Sequence, residues 1–463
     1  MKQILLSAKV ILGTFFFLVI TQSIPAFAGN VILIIGDGMD DAQITIARNY
    51  LVGPRGKLSL DHLPVRSSVQ VLSVSDQNPK QAVYVADSAN SATAIATGVV
   101  TSRGRIGTTA GTDLDVINII DLAQERGIKT GLVTTANVTD ATPAAFYAHT
   151  NNRDCENPSL MVDVEVYSDV FVDCSADLKS NDGKGSISEQ LVGSGVDVFL
   201  GGGLKHFTVP AEDAGDEVLA MAKQAGYQVV LNPEQLNNIE QGKLLGLFSE
   251  STMPVIWRGE DDRKAEHSEL SWTNSIHWSM GEVTYPEPMH CEDNPDFTGL
   301  PTLVEMTDKA LAVLSAEDSD FFLMIESASI DKQAHRRKAC GSIGELQQLN
   351  DALDSALVFT RSHPDTLILV TADHGQAAQI IPEESLFAAS PYPIYSPGHV
   401  ARIITPEGPV MAINYATNDF VAGEHTGVTV PLLSNNVGVG IVPSMMTQPE
   451  IFGLIKDYLL PEG

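Results

Sequence analysis

Apolar residues along the chain gather into short runs, with Asp197 the one charged interruption: 31–35, 131–135, 196–200, 321–325 and 367–371. Runs of five or six apolar residues without alternation read as strands buried on both faces, the habit of a parallel sheet. Between them, apolar positions recur at helical spacing over 113–126, 212–224, 302–314 and 342–361. Strands alternating with helices predict an α/β fold layered around a mostly parallel sheet. The stretch 244–299 is poorer in pattern and holds all three tryptophans, Trp257, Trp272 and Trp278. It is expected to be an irregular excursion from the sheet. With no repeats or low-complexity tracts, residues 29–463 are expected to form one domain, although length alone would allow two or three.

The first 28 residues follow another rule. Lys2 and Lys9 precede an apolar stretch over 10–20 that contains Phe15, Phe16 and Phe17, and Ala26-Phe27-Ala28 supplies a small-x-small cleavage pattern. This is the layout of a secretory signal peptide, 1–28, removed near Ala28. A membrane anchor is the rival reading, but the apolar core is short for a span and ends at Thr21-Gln22-Ser23 before Pro25. The product is expected to be periplasmic or secreted, with no membrane anchor.

Composition narrows the class. With 44% hydrophobic residues in 463, the chain can bury a large core, which excludes disorder. Its 28 Lys+Arg against 58 Asp+Glu give a formal charge of −30. That argues against a nucleic-acid partner, which needs a basic face to displace counterions. Four cysteines, Cys155, Cys174, Cys291 and Cys340, suit an exported chain with two disulfides. Of three possible pairings, the sequential one closes the shortest loops. Cys155–Cys174 and Cys291–Cys340 are therefore expected, worth roughly 3 and 4 kcal/mol in the loop-entropy picture. None sits in a CxxC pair, which disfavours a thiolate zinc site.

Candidate chemistry lies where the runs end. Residues 31–35 lead into Gly36-Asp37-Gly38, 321–325 into Glu326, and 367–372 into Asp373-His374. Ligands of open α/β sheets bind at the carboxyl ends of strands, so these acids should converge. Converging carboxylates repel unless protons or cations intervene, and neighbouring histidines favour divalent metal. One such ending would mark only a solvated loop. Asp331 and His335, four apart, share a helical face, and Glu424-His425-Thr426-Gly427 offers another imidazole. Mixed imidazole and carboxylate ligands point to zinc over magnesium. Residues 87–98 read as an Ala-rich helix that starts at Asp87-Ser88 and stops at Gly98. Ser88 in its first turn lies at the positive end of the helix dipole, which favours an alkoxide and a bound phosphate. Taken alone it would be an ordinary cap residue, and no Gly-x-Ser-x-Gly elbow surrounds it.

Taken in order, Gly36-Asp37-Gly38-Met39, Asp87-Ser88-Ala89, Asp140-Ala141-Thr142-Pro143, Asn152-Arg153-Asp154-Cys155, Glu326 with Asp331-Lys332-Gln333 and His335, Thr371-Ala372-Asp373-His374 and Glu424-His425-Thr426-Gly427 closely resemble alkaline phosphatase. The set spans almost the whole chain after residue 28, and the cysteine positions resemble those of bacterial periplasmic members. The resemblance implies a three-layer α/β/α fold around a large, mostly parallel, mixed sheet. It implies an enzyme that hydrolyses small phosphate monoesters through a phosphoserine, with two zinc ions and one magnesium ion per chain, as a homodimer. By position, Asp331, His335 and His425 match the ligands of one zinc. Asp37, Asp373 and His374 match those of the other, with Asp37 also bridging to magnesium. Thr142 and Glu326 match further magnesium ligands, and Asp140 a residue that holds magnesium-bound water. Ser88 matches the nucleophile, Arg153 the bidentate clamp on phosphate, and Lys332 a second positive charge.

Three positions depart from the family pattern: Asp40 where relatives often carry glycine, Asn90 where alanine is common, and Gln376 where many bacterial relatives carry histidine. The Gln376 exchange puts metal affinity in question. A sulfatase would need a Cys/Ser-x-Pro-x-Arg motif, which the sequence around Ser88 lacks. A phosphodiesterase preference and a secreted binding protein without turnover are the remaining alternatives. Arg153, suited to a dianionic group, speaks against the first, and Ser88, which pure binding does not require, against the second.

Overall fold

The computed structural model describes residues 29–167, 170–212, 215–277, 280–317, 319–383 and 395–461. The expected leader 1–28 and Trp278 lie outside them. All five apolar runs contribute strands to a ten-stranded sheet. In chain order its strands are β1 (Val31–Gly36), β2 (Val65–Gln70), β3 (Lys129–Asn137), β4 (Val198–Gly202), β5 (Gln228–Val230), β6 (Leu244–Leu247), β7 (Phe321–Ser327), β8 (Leu367–Ala372), β9 (Val430–Ser434) and β10 (Met445–Thr447). Their order across the sheet is β10-β2-β9-β8-β1-β7-β3-β4-β6-β5. Only β9 runs against the rest, antiparallel to both β8 and β2. The sheet is thus mixed but mostly parallel, as expected.

Strands β1, β7 and β8 are buried along their whole length, which is why their sequences show no alternation. Burying each Ile, Leu or Phe side chain there contributes roughly 1.5–3 kcal/mol. The edge strands β5 and β10, and β2 beside the latter, are short or half-exposed, and their weak apolar signal hides them in the sequence. Leu244–Leu247, at the start of the stretch read as irregular, is one of the inner strands.

Register places the chemistry. Gly36 of β1 lies opposite Ser327 of β7 and Ala372 of β8, and Glu326 lies between Ile35 and Thr134. Asp37 and Asp373 each follow directly, so three carboxylates emerge side by side at the carboxyl rim of the sheet's centre.

The helices mostly follow the expected spacing, at Leu303–Leu314 behind a Thr302 cap and at Ala339–Phe359. The helix expected over 113–126 spans only Ile119–Glu125. Asp113 is left-handed, and Asn118 caps the helix by accepting the Asp121 N–H. Leu114 and Ile117, which had suggested the longer helix, are 64% and 61% exposed. The helix expected over 212–224 is likewise shorter, Val218–Gln224, while Glu212 accepts the N–H groups of Lys179 and Ser180. Both disulfides form as expected. Cys155–Cys174 anchors the turn beyond Arg153, and Cys291–Cys340 ties the excursion to the helix Ala339–Phe359.

Beyond Leu247 the excursion is built from short strand pairs. One piece, Glu266–His267, joins Gln379–Ile381, His399–Ile404 and Val410–Tyr415 in a separate antiparallel four-stranded sheet. Trp257 packs edge-on to Tyr50, with ring centroids 5.8 Å apart, whereas Trp272 is 76% exposed.

Candidate active site

Ser88 is the first residue of the helix Ser88–Thr97. Asp87 caps that helix through a reciprocal pair: its Oδ1 accepts the Asn90 N–H at 3.0 Å, and Asn90 Oδ1 accepts the Asp87 N–H at 2.8 Å. Asn90 Nδ2 also donates to Leu72 O. Asn90 thus departs from alanine to make a cap. Gly98 closes the helix in the left-handed region, φ 75°. Every residue of the helix is buried, and its small Ala side chains allow that close packing.

Ser88 Oγ lies 3.1 Å from His374 Nε2 and 3.4 Å from Asp37 Oδ1. His374 Nε2 is 3.3 Å from oxygens of both Asp37 and Asp373. His374 Nδ1 faces Gly375 O at 3.2 Å. A carbonyl only accepts, so Nδ1 carries a proton and Nε2 is the ring atom that could face a cation held between it and the two carboxylates. Asp373 is fixed through Oδ1, which accepts the N–H groups of Gly38 and His374, while its buried Oδ2 has no hydrogen-bond donor.

A second cluster lies alongside. Asp331 and His335 share the helix Ser329–His335, and His425 comes from a two-residue strand beside Gly375–Gln376. His335 Nε2 and His425 Nε2 are 2.9 Å apart, and each is 3.2–3.3 Å from an oxygen of Asp331. Both Nδ1 atoms again face carbonyls, Gly423 O at 2.5 Å and Ala86 O at 2.9 Å. Two ring nitrogens and a carboxylate therefore converge. The His374 and His425 rings stack at 3.7 Å, which joins the two clusters.

The third group is oxygen-rich. Glu326 accepts from Thr134 Oγ1 at 2.5 Å. Thr142 lies close enough to ease ionisation of Glu326, yet its own buried Oγ1 has no hydrogen-bond partner. Asp140 caps the short helix Ala141–Ala144 and receives Lys332 Nζ at 2.5 Å and Arg153 Nη2 at 2.9 Å. Arg153 Nη1 reaches Asp87 Oδ2 at 3.4 Å, so one carboxylate serves both the serine helix and the arginine. All twelve residues expected at the site thus lie in this one region.

Titration behaviour expresses the crowding. Burial, then the charges of Asp373, Asp331 and Glu326, push the Asp37 carboxyl well above its ordinary range. Burial lifts Glu326 to about 7. Burial opposes charge on His425, but Asp331 more than offsets it and the imidazole rises to about 9. Protons thus collect where a cation would otherwise neutralise the carboxylates. The orphaned Asp373 Oδ2 and Thr142 Oγ1, with Nε2 atoms of three histidines turned toward carboxylates in two clusters, suit metal ions, which would take the place of the protons held there.

One supporting group carried no signal in the sequence, and two others stood out there only as departures from the family pattern. Thr134 is visible only through its register beside Glu326. Gln376 donates from Nε2 to Asp331 Oδ1 at 2.5 Å, and its backbone N–H donates to Asp40 Oδ2. Asp40 also caps the helix Asp41–Leu51. Two of the family departures, Asp40 and Gln376, therefore touch each other behind the second cluster.

A parallel sheet whose central rim presents two His/carboxylate clusters flanking a helix-start serine, with an arginine fork opposite, defines a metal-dependent enzyme of phosphoryl transfer. A profile of the alkaline phosphatase family matches residues 28–431. Alkaline phosphatase of Escherichia coli strain K12 is 36% identical over 441 residues, 93% of this chain and 86% of that protein. Streptomycin-6-phosphate phosphatase of Streptomyces griseus is 38% identical over 450 residues, covering 95% and 92%. Among solved structures, alkaline phosphatase of Thermus thermophilus superposes with a TM-score of 0.66 at 20% identity, covering 95% of this chain and 93% of that one. The chain belongs to the alkaline phosphatase family. It is a metal-dependent phosphatase that hydrolyses phosphate monoesters through the phosphoserine intermediate general to that family.

Proposed function

We propose that Ser88 is the residue that becomes phosphorylated and that the rim holds two zinc ions and one magnesium ion. Asp37, Asp373 and His374 would hold one zinc, and Asp331, His335 and His425 the other. Glu326 and Thr142, with Asp37 and the flanking Asp140, suit magnesium through an oxygen-only donor set. The observation that carries this reading is that His374 Nε2 and Asp37 Oδ1 lie within hydrogen-bond range of the Ser88 hydroxyl, while the Nε2 atoms of His335 and His425 meet Asp331 alongside. When bound, such cations lower the pKa of hydroxyl groups and neutralise phosphate charge.

The chain's own groups supply the rest. Ser88 Oγ bonds to phosphorus as the ester oxygen leaves with the electrons of the broken P–O bond, and water then cleaves the Ser–O–P bond to release inorganic phosphate. The helix start directs its dipole at the transferring group. Arg153 keeps a second N–H on each Nη beyond its contacts with Asp87 and Asp140, a planar pair matched to two phosphate oxygens. Asp140, held below its ordinary range because Lys332 and Arg153 outweigh burial, keeps those two cations in place.

The phosphoenzyme tests this assignment. Acid quenching during turnover of p-nitrophenyl phosphate, followed by peptide mass spectrometry, is expected to place the phosphoryl group on Ser88. A label on another residue would overturn the assignment.

We further infer that residues 29–463 form one exported domain, cleaved near Ala28 and working as a homodimer. One sheet drawing strands from Val31 to Thr447 supports the single domain. The two disulfides support export to an oxidising compartment. Among the described residues, no helix is long and apolar enough to cross a membrane. Family likeness supports the dimer.

A further inference from the structure

One more cluster with the composition of a transition-metal site lies away from the rim. His267 and His399 are cross-strand partners in the small antiparallel sheet, paired directly in register. Their rings lie 3.9 Å apart, tilted by 43°. Asp419, in the loop after Val410–Tyr415, places Oδ1 3.8 Å from His267 Nε2. A ligating atom from each of the three lies within 4.8 Å of the other two, the spacing met by both rim clusters as well. Two imidazoles and a carboxylate are a zinc-class donor set, and tetrahedral zinc bonds of 2.0–2.1 Å set donors about 3.3 Å apart. His267 and Asp419 are exposed, so rotation about their side-chain bonds can close the remaining gap. His399 Nδ1 is buried and has no hydrogen-bond partner, an unspent donor at the base of the cluster.

The position gives the cluster a consequence. Asp419 stands six residues before His425, in a loop pinned elsewhere by backbone contacts. Buried Arg337 donates to the carbonyls of Asn418 and Phe420. Thr417 Oγ1 accepts the Glu424 N–H, and Gly423 N–H donates to His335 O. The side chains of Phe420 and Val421 are 70% and 81% exposed and do not help to hold the loop. We propose that His267, His399 and Asp419 form an additional surface site for a zinc-class divalent cation, and that filling it braces the loop presenting His425. Arg337 and Lys264 lie within electrostatic reach of His399 and oppose a cation. The site therefore binds more weakly than the buried clusters and fills last.

The bracing half rests on His425 as a rim ligand; the binding half does not. Metal-saturated enzyme is dialysed against excess Zn²⁺ and zinc per chain is counted for wild type, His267→Gln and Asp419→Asn. Wild type is expected to hold one zinc more than either variant, while all three keep phosphatase activity. Equal counts would overturn the site, and because only the difference is read, the number of ions at the rim does not enter. Exchange of rim zinc for isotopically labelled zinc is then timed in excess Zn²⁺, which keeps the extra site filled. Release is expected to be several-fold faster in the two variants, and equal rates would overturn the brace.

Discussion

The two clusters at the rim use the same two residue types, Asp and His, and are built to different standards. Asp37, Asp373 and His374 are at most 3% exposed and grow directly out of adjacent, register-locked strands. Asp331, His335 and His425 come from a seven-residue helix and a loop-borne two-residue strand, and the His335 side chain is 31% exposed. The first cluster's geometry is fixed by the sheet before any metal arrives. The second depends on local contacts: Gln376 to Asp331, and the reciprocal pair between His335 and Gly423. Rigidity thus lies beside Ser88, the proposed nucleophile, and adaptability lies on the side open to solvent.

The largest expected effect separates the two. Asp373→Ala removes a proposed metal ligand fixed by the sheet and also the acceptor that orders the Gly38 and His374 amides. Activity should fall by about 10³-fold or more, on the scale of losing a group that arms a nucleophile, and added zinc should not restore it. His335→Ala should lose about 10²-fold at limiting zinc, with part of the loss recovered as zinc is raised. Steady-state rates against free zinc check both. If Asp373→Ala recovered as readily as His335→Ala, the contrast between a fixed and an adaptable cluster would not hold.

That contrast also explains what could be read from the sequence. The strand endings at Asp37, Glu326 and Asp373 were legible because burial on both faces leaves an uninterrupted apolar signal that stops at the rim. The Asp331/His335 pair was legible from helical spacing. Contacts set by tertiary register were not: nothing near Thr134 announces Glu326 as its partner, and two strands of the second sheet, Glu266–His267 and Gln379–Ile381, are too short to show alternation. The helix over 113–126 was overcalled because Leu114 and Ile117 mimic an apolar face that the fold leaves in solvent. His267, His399 and Asp419 lie more than a hundred residues apart in part, so no local motif could assemble them.

A smaller effect sharpens the comparison from behind the second cluster. Gln376 aims its amide at Asp331 and takes its own backbone support from Asp40. Gln376→Ala should weaken zinc at the Asp331 cluster by about 10-fold, the usual scale for removing a group that orients a ligand. Zinc at the buried cluster should be unaffected. Gln376→His, which keeps a donor, should recover most of the loss. Competition with a chromophoric chelator measures both sites, and equal weakening of the two would show that the clusters are not independent.

The smallest effect concerns Asp87, the hinge between the serine helix and the arginine. Asp87→Ala removes a helix cap and should cost about 1 kcal/mol of stability. Asp87→Asn retains a good capping group, so its stability should stay near wild type. Both variants, however, lose the carboxylate that Arg153 Nη1 meets at 3.4 Å. That contact is partly exposed, worth roughly 0.2–1 kcal/mol at most, so a freer Arg153 should raise KM for phosphate esters by a few-fold at nearly constant kcat. Thermal unfolding should therefore distinguish the two variants while KM does not. If Asp87→Asn kept a wild-type KM, the arginine would be placed by Asp140 alone, and the serine helix and phosphate clamp would be independent parts.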